Sequence, residues 1–167
     1  MKDYSDMIRS VSKAMDKTVK QLGTESHFWG MKPSELFVMD LMTYAMHLTA
    51  ADGKIQREET EQMADLFGIE YTPMDIRQYM EHQKVRFAEY QNHVPISVKE
   101  AVIMDNLLKE QGRISPLEKS FADMIYESFE GVGDSVIMAD WVEHGNERQA
   151  KEAFLGRLKA YIEENRK

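Results

Sequence analysis

At 167 residues, 43% hydrophobic and 30% charged, the chain has the length of one domain or of two small helical halves sharing a core, and its composition is globular rather than disordered. It has no cysteine, which excludes disulfides and thiolate metal sites. The formal net charge of -8 argues against binding to nucleic acid, which rests on cations neutralising phosphates, and suits a well-solvated surface, a basic partner or a cation.

The amino terminus, Met1-Lys2-Asp3-Tyr4-Ser5-Asp6, is too charged to begin the apolar region of a signal peptide, so a cytoplasmic location is expected. Tyr4, Met7, Ile8, Val11, Met15 and Leu22 recur at helical spacing and predict a first helix over 4–22, stopped by Gly23. Arg9, Lys13, Lys17 and Lys20 form a basic stripe opposite that apolar face. Such a stripe is either a solvated outer face or a surface for a protein partner or an acidic lipid headgroup layer. The loop that follows carries Phe28 and Trp29, which either anchor over the bundle or form an exposed hot spot.

A second helix is expected over 34–50. Its apolar stretch from Leu36 to Ala51 is interrupted by Asp40 and His47 and is too short to span a membrane. His47 is expected to be a core histidine, and Met39, Met42 and Met46 to fill gaps in the core. Further helices are predicted over 57–67, 73–90, 98–110, 116–129, 135–143 and 147–164, making about eight in all, with no strand. Their starts are marked by Thr72-Pro73-Met74-Asp75, Ser97-Val98-Lys99-Glu100, Ser115-Pro116-Leu117-Glu118 and Asn146-Glu147-Arg148-Gln149, all capping-box patterns. Gly68 and Gly131 mark expected stops.

The middle of the chain echoes itself. Gly53-Lys54-Ile55 with Glu59 matches Gly112-Arg113-Ile114 with Glu118 at identical offsets. The expectation is two related helix-turn-helix units in which Gly turns the chain, Ile plugs the turn into the core and Glu caps the next helix. The chain then divides into 1–30, an N-terminal helix with its aromatic loop; 31–95, a first unit; and 96–167, a second, degenerate unit with a C-terminal helix.

Leu48-Thr49-Ala50-Ala51-Asp52-Gly53-Lys54-Ile55, followed by Glu58 and Glu59, resembles the signature of the TerB-like (tellurite-resistance) family over roughly 35–82. A looser copy over about 98–144 has Gln111 in place of the Asp. The resemblance implies an all-α, usually cytoplasmic bundle linked to bacterial stress or defence, with divalent metal held by acidic residues in some members. The His-Pro-Asp tripeptide of its co-chaperone branch is absent.

An EF-hand is excluded, because placing Gly53 sixth in the loop puts Leu48 first and Ala50 third, and neither coordinates calcium. A weaker divalent site from Asp52, Glu58, Glu59 and Asp65 stands beside a structural reading in which Asp52 ends one helix and Glu59 caps the next. No His-x-x-x-His, Gly-x-Ser-x-Gly or phosphate-cradling Gly loop occurs, so no catalytic residue is assigned. The expected function is a non-catalytic TerB-like module that binds another protein, with or without a divalent metal. The alternatives are an acidic immunity protein that blocks a basic toxin and, last, a metal-dependent enzyme.

Overall fold

The computed structural model describes residues 4–25, 30–49, 57–67, 72, 74–75, 78, 93–137 and 145–167, with residues 59, 63, 145 and 146 described by their backbone alone. Among these the secondary structure is all α-helical, with no strand. Six helices are bounded: α1 Ser5–Leu22, α2 Pro33–Thr49, α3 Arg57–Phe67, α4 Ile96–Glu110, α5 Phe121–Ile137 and α6 Gly145–Asn165. Met74, Asp75 and Gln78 are also helical.

Local chemistry explains several of these boundaries. In α1, Ile8, Val11, Met15 and Val19 are buried at intervals of three and four residues, and Gly23 ends the helix at φ 69. Thr24 N–H bonds to Val19 O at 3.1 Å and Gly23 N–H to Lys20 O at 3.2 Å, the paired closure of a left-handed glycine cap. Gly112, at φ 65, ends α4 in the same way through Arg113 N–H to Leu108 O at 2.8 Å. The Thr72 box forms as expected: Thr72 N–H donates to Asp75 Oδ2 at 2.8 Å, and Asp75 N–H to Thr72 Oγ1 at 3.1 Å.

Two other predicted starts differ. Ser97 does not cap α4, which opens at Ile96 after Pro95; the Ser97 N–H instead donates to Asp40 Oδ2 at 2.9 Å. Ser115 turns the chain through Leu117 N–H at 3.2 Å, and the helix begins only at Phe121. There Ser120 Oγ accepts Asp123 N–H at 3.2 Å, while Asp105 accepts Phe121 and Ala122 N–H at 2.8 and 2.9 Å. A carboxylate from another helix outweighs the local box, because it satisfies two orphan N–H groups at once.

One helix, α5, runs from Phe121 through Ile137 and joins the expected helix over 116–129 to the start of that expected over 135–143, since Gly131 lies buried inside it instead of ending it; residues 138–143 lie outside the described residues. A helical glycine costs only about 1 kcal/mol relative to alanine, which the burial of Val132, Val136 and Ile137 exceeds. The second Gly-Ile bend also departs from expectation: Ile114 is 91% exposed rather than plugged into the core, and Glu118 lies in a bend, outside any helix. The first bend, 53–55, lies outside the described residues. Of the methionines expected in the core, Met46 is buried, whereas Met39 is exposed.

The chain forms two compact units. Unit 1 comprises Met1–Asp40, Val94–Ser128 and Leu158–Lys167, and unit 2 comprises Leu41–His93 and Phe129–Arg157. Unit 1 is cored by Val11, Met15, Phe37, Val98, Phe121 and Ile125. In unit 2, Tyr44 stacks on Phe154 with centroids 4.4 Å apart and meets Phe129 edge-on at 5.6 Å.

Gly133 of α5 belongs to the same arrangement. A Cβ there would sit 2.7 Å from the Tyr44 hydroxyl and 3.3 Å from Lys151 Cγ. Phe129 and Phe154 hold the Tyr44 ring, so it has little room to retreat. Gly133→Ala is therefore expected to cost about 1–3 kcal/mol despite its better helix propensity. Gly156→Ala, with nothing within 4 Å of its Cβ, is expected to gain up to about 1 kcal/mol. Urea-unfolding midpoints of the two variants should move in opposite directions.

Candidate functional site

Unit 1 carries two exposed features that the fold places beside each other. The first is the outer face of α1. Arg9, Lys13, Lys17 and Lys20 are all exposed while the opposite face is buried. Arg9 pairs with Asp6 at 3.4 Å, a solvent-exposed contact of little energetic weight. Lys13, Lys17 and Lys20 make no ion pair or hydrogen bond with the described residues. The acid within the row, Asp16, is engaged elsewhere. Its two oxygens accept the Ser34 N–H at 3.0 Å and the Ser34 hydroxyl at 2.6 Å, at the start of α2.

The second feature is the bend between α4 and α5. It borders a groove of about 430 Å³ whose lining includes Leu108, Lys109, Arg113, Ile114, Leu117 and Arg166. Gly112, Arg113 and Ile114 also line a shallower depression together with Gln21, which brings the bend next to the end of α1.

The surroundings of the bend are well braced. Arg166 donates to Asp123 Oδ1 at 2.7 Å and to Ser120 Oγ at 3.3 Å. Asn106 donates to Asn165 O at 3.1 Å and accepts the Lys167 N–H at 3.0 Å, and Lys109 Nζ donates to Lys167 O at 2.8 Å. Lys119 pairs with Glu127.

These contacts set the local ionisation. Burial acts to raise the Asp123 carboxyl, but bonds from Arg166 and Ser120 and the charge of Arg166 hold it below the usual carboxylate range. At Asp105 burial prevails and raises the carboxyl, against the pull of the Ala122 and Phe121 N–H groups and of Arg166. Asp105, Ser120, Asp123 and Arg166 are thus occupied with one another at the start of α5. Arg113 makes no ion pair among the described residues.

In unit 2, His47 is 2% exposed, a core residue as expected. Burial, assisted by repulsion from His93, lowers its pKa to about 4, so it is neutral at neutral pH.

The acidic residues expected to hold a metal fare unevenly. Glu58 and Asp65 are exposed on α3, where the neighbouring Glu61 pairs with Arg57 at 3.0 Å. Asp52, the Glu59 side chain, Phe28 and Trp29 lie outside the described residues. Among the described residues no group of three or more His, Asp or Glu is placed to hold a metal ion, and no helix is long and apolar enough to cross a membrane.

Sequence reasoning singled out the α1 stripe but missed the display of Arg113 and Ile114, and it missed Asp16, Asp40 and Asp105 as caps for other helices. Asp40 left a signal, since an acid within an apolar run needs a partner. Comparison with protein families, curated proteins and solved structures finds no match to the chain.

Proposed function

We propose that this chain is a non-catalytic, protein-binding helical module of the TerB-like kind, acting in a bacterial stress or defence setting. The family and setting rest on the resemblance of residues 48–59 alone; the observation that carries the protein-binding part is Ile114, 91% exposed on a bend that Gly112 turns and α4 and the C-terminal residues support. A single exposed apolar side chain is ordinary on a protein surface. Ile114 stands out because it lines two depressions, beside Arg113, which makes no ion pair among the described residues, with Leu108 and Leu117 in the groove wall. An apolar anchor flanked by Arg on a pre-organised bend is the composition of a protein-binding hot spot.

The test is affinity capture from the native host with wild-type, Ile114→Val and Ile114→Asp proteins. A specific partner is expected to be retained by the valine variant and lost, about tenfold or more, with the aspartate variant, at unchanged melting temperature. Equal capture by all three proteins would remove the bend from the function.

A further inference from the structure

Resting on that protein-binding reading, we infer that the surface running along α1 from Lys13 to Lys20 and onto Arg113 and Ile114 binds an acidic helical segment of a partner protein, whose carboxylates lie on one face and whose apolar residue meets Ile114.

The α1 row is cationic in a chain whose net charge is -8. Lys13, Lys17 and Lys20 follow one another at four and three residues, so their side chains share one exposed face. Like charges at these spacings repel one another and weaken a helix. Here no described carboxylate forms an ion pair with them: Asp16 accepts hydrogen bonds from Ser34, and Asp6 pairs with Arg9.

The row also has a direction. Gln21, one residue beyond Lys20, shares a depression with Gly112, Arg113 and Ile114. The cationic surface therefore continues from α1 to a fourth cation that makes no ion pair among the described residues, Arg113, and ends at an exposed isoleucine. From Lys13 to Lys20 the helix rises about 10 Å, two turns, which a ligand helix with carboxylates at the same spacing can follow side by side.

Two other anionic partners fit less well. A lipid surface calls for an apolar helix face to insert, and that face of α1 is buried: Val11 and Met15 are 0% exposed and Val19 is 1%. Nucleic acid requires a broad excess of cations, whereas the charge surplus of this chain is negative.

The test uses the purified full chain and two synthetic helical peptides of identical composition. One places glutamates along a single face with a terminal leucine, and the other scatters the same residues around the helix. Fluorescence anisotropy is read at low and at near-physiological salt, with anionic vesicles and duplex DNA as further probes. The one-faced peptide is expected to bind about tenfold or more tightly than the scattered one. Binding should weaken with salt and fall about tenfold or more in Lys13→Gln/Lys17→Gln/Lys20→Gln. Neutralising three exposed cations outside the row, Lys99→Gln/Arg157→Gln/Lys159→Gln, should change it by less than about threefold. Ile114→Asp should weaken the one-faced peptide more than the scattered one.

Equal binding of the two peptides would reduce the row to general charge attraction and overturn the inference. Equal loss in the control variant would do the same, as would tighter binding to vesicles or DNA through Lys13, Lys17 and Lys20. If the peptides fail while host capture still depends on Ile114, the acidic-helix assignment falls and the protein-binding reading survives.

Discussion

Phe154→Ala is expected to destabilise the protein by about 3–5 kcal/mol, a large share of the stability of a domain this size. Phe154 is 1% exposed, stacks on Tyr44 at 4.4 Å with an interplanar angle of 15°, and meets Phe129 at 5.6 Å. Truncation removes both ring contacts and leaves a cavity walled by two aromatic side chains. These walls collapse poorly, because the Tyr44 hydroxyl already lies against the backbone of α5 at Gly133. The cost should therefore reach the upper part of that range, whereas Phe154→Leu, which keeps most of the volume, should lose about 1–2 kcal/mol. Urea titration followed by far-UV circular dichroism reads both. An alanine variant within about 1 kcal/mol of wild type would mean that the aromatic cluster contributes little to the core of unit 2.

How much of this architecture a sequence displays depends on whether an element is specified locally. The first helix is, because its apolar spacing and Gly23 lie within the element, and its observed bounds, Ser5–Leu22, depart by one residue from expectation. The third, Arg57–Phe67, and the box joining Thr72 to Asp75 were equally readable. The start of α5 was not. Ser115-Pro116-Leu117-Glu118 has the better local pattern, but Asp105, sixteen residues before Phe121, places the helix start by accepting its first two N–H groups. Asp16 and Asp40 act alike on Ser34 and Ser97 from 18 and 57 residues away. Gly131 misleads in the same manner: a glycine that resembles a stop sits in the helix that passes Tyr44 so closely at Gly133.

The candidate surface divides along the same line. Helical spacing alone places Lys13, Lys17 and Lys20 on one face, so that part was legible. Ile114 was expected to be buried because it follows a turning glycine, as core plugs do. Its exposure depends on how the bend meets the ends of α1 and α4, and on the later start of α5, which frees 116–120 from the helix. Both facts lie beyond the reach of a local pattern.

Acidification is expected to weaken the fold through His47. Burial and the neighbouring His93 lower its pKa from 6.5 to about 4 in the folded protein. Between those values the unfolded chain binds a proton that the folded chain does not, so stability rises with pH across this window. The contribution is complete above about pH 6.5 and is lost as pH falls toward about 4, amounting to roughly 3 kcal/mol over the span. Carboxylates such as Asp123, held low by Arg166 and Ser120, lose their stabilisation at still lower pH, so the histidine acts first. Replacing the imidazole by an amide that does not titrate isolates its share. His47→Gln should lose part of its stability at neutral pH through imperfect packing, yet its urea midpoint should fall less than that of wild type between about pH 7 and about pH 4. Parallel pH profiles for the two proteins would show that His47 is protonated at no cost to the fold, contrary to its burial at 2% exposure in unit 2.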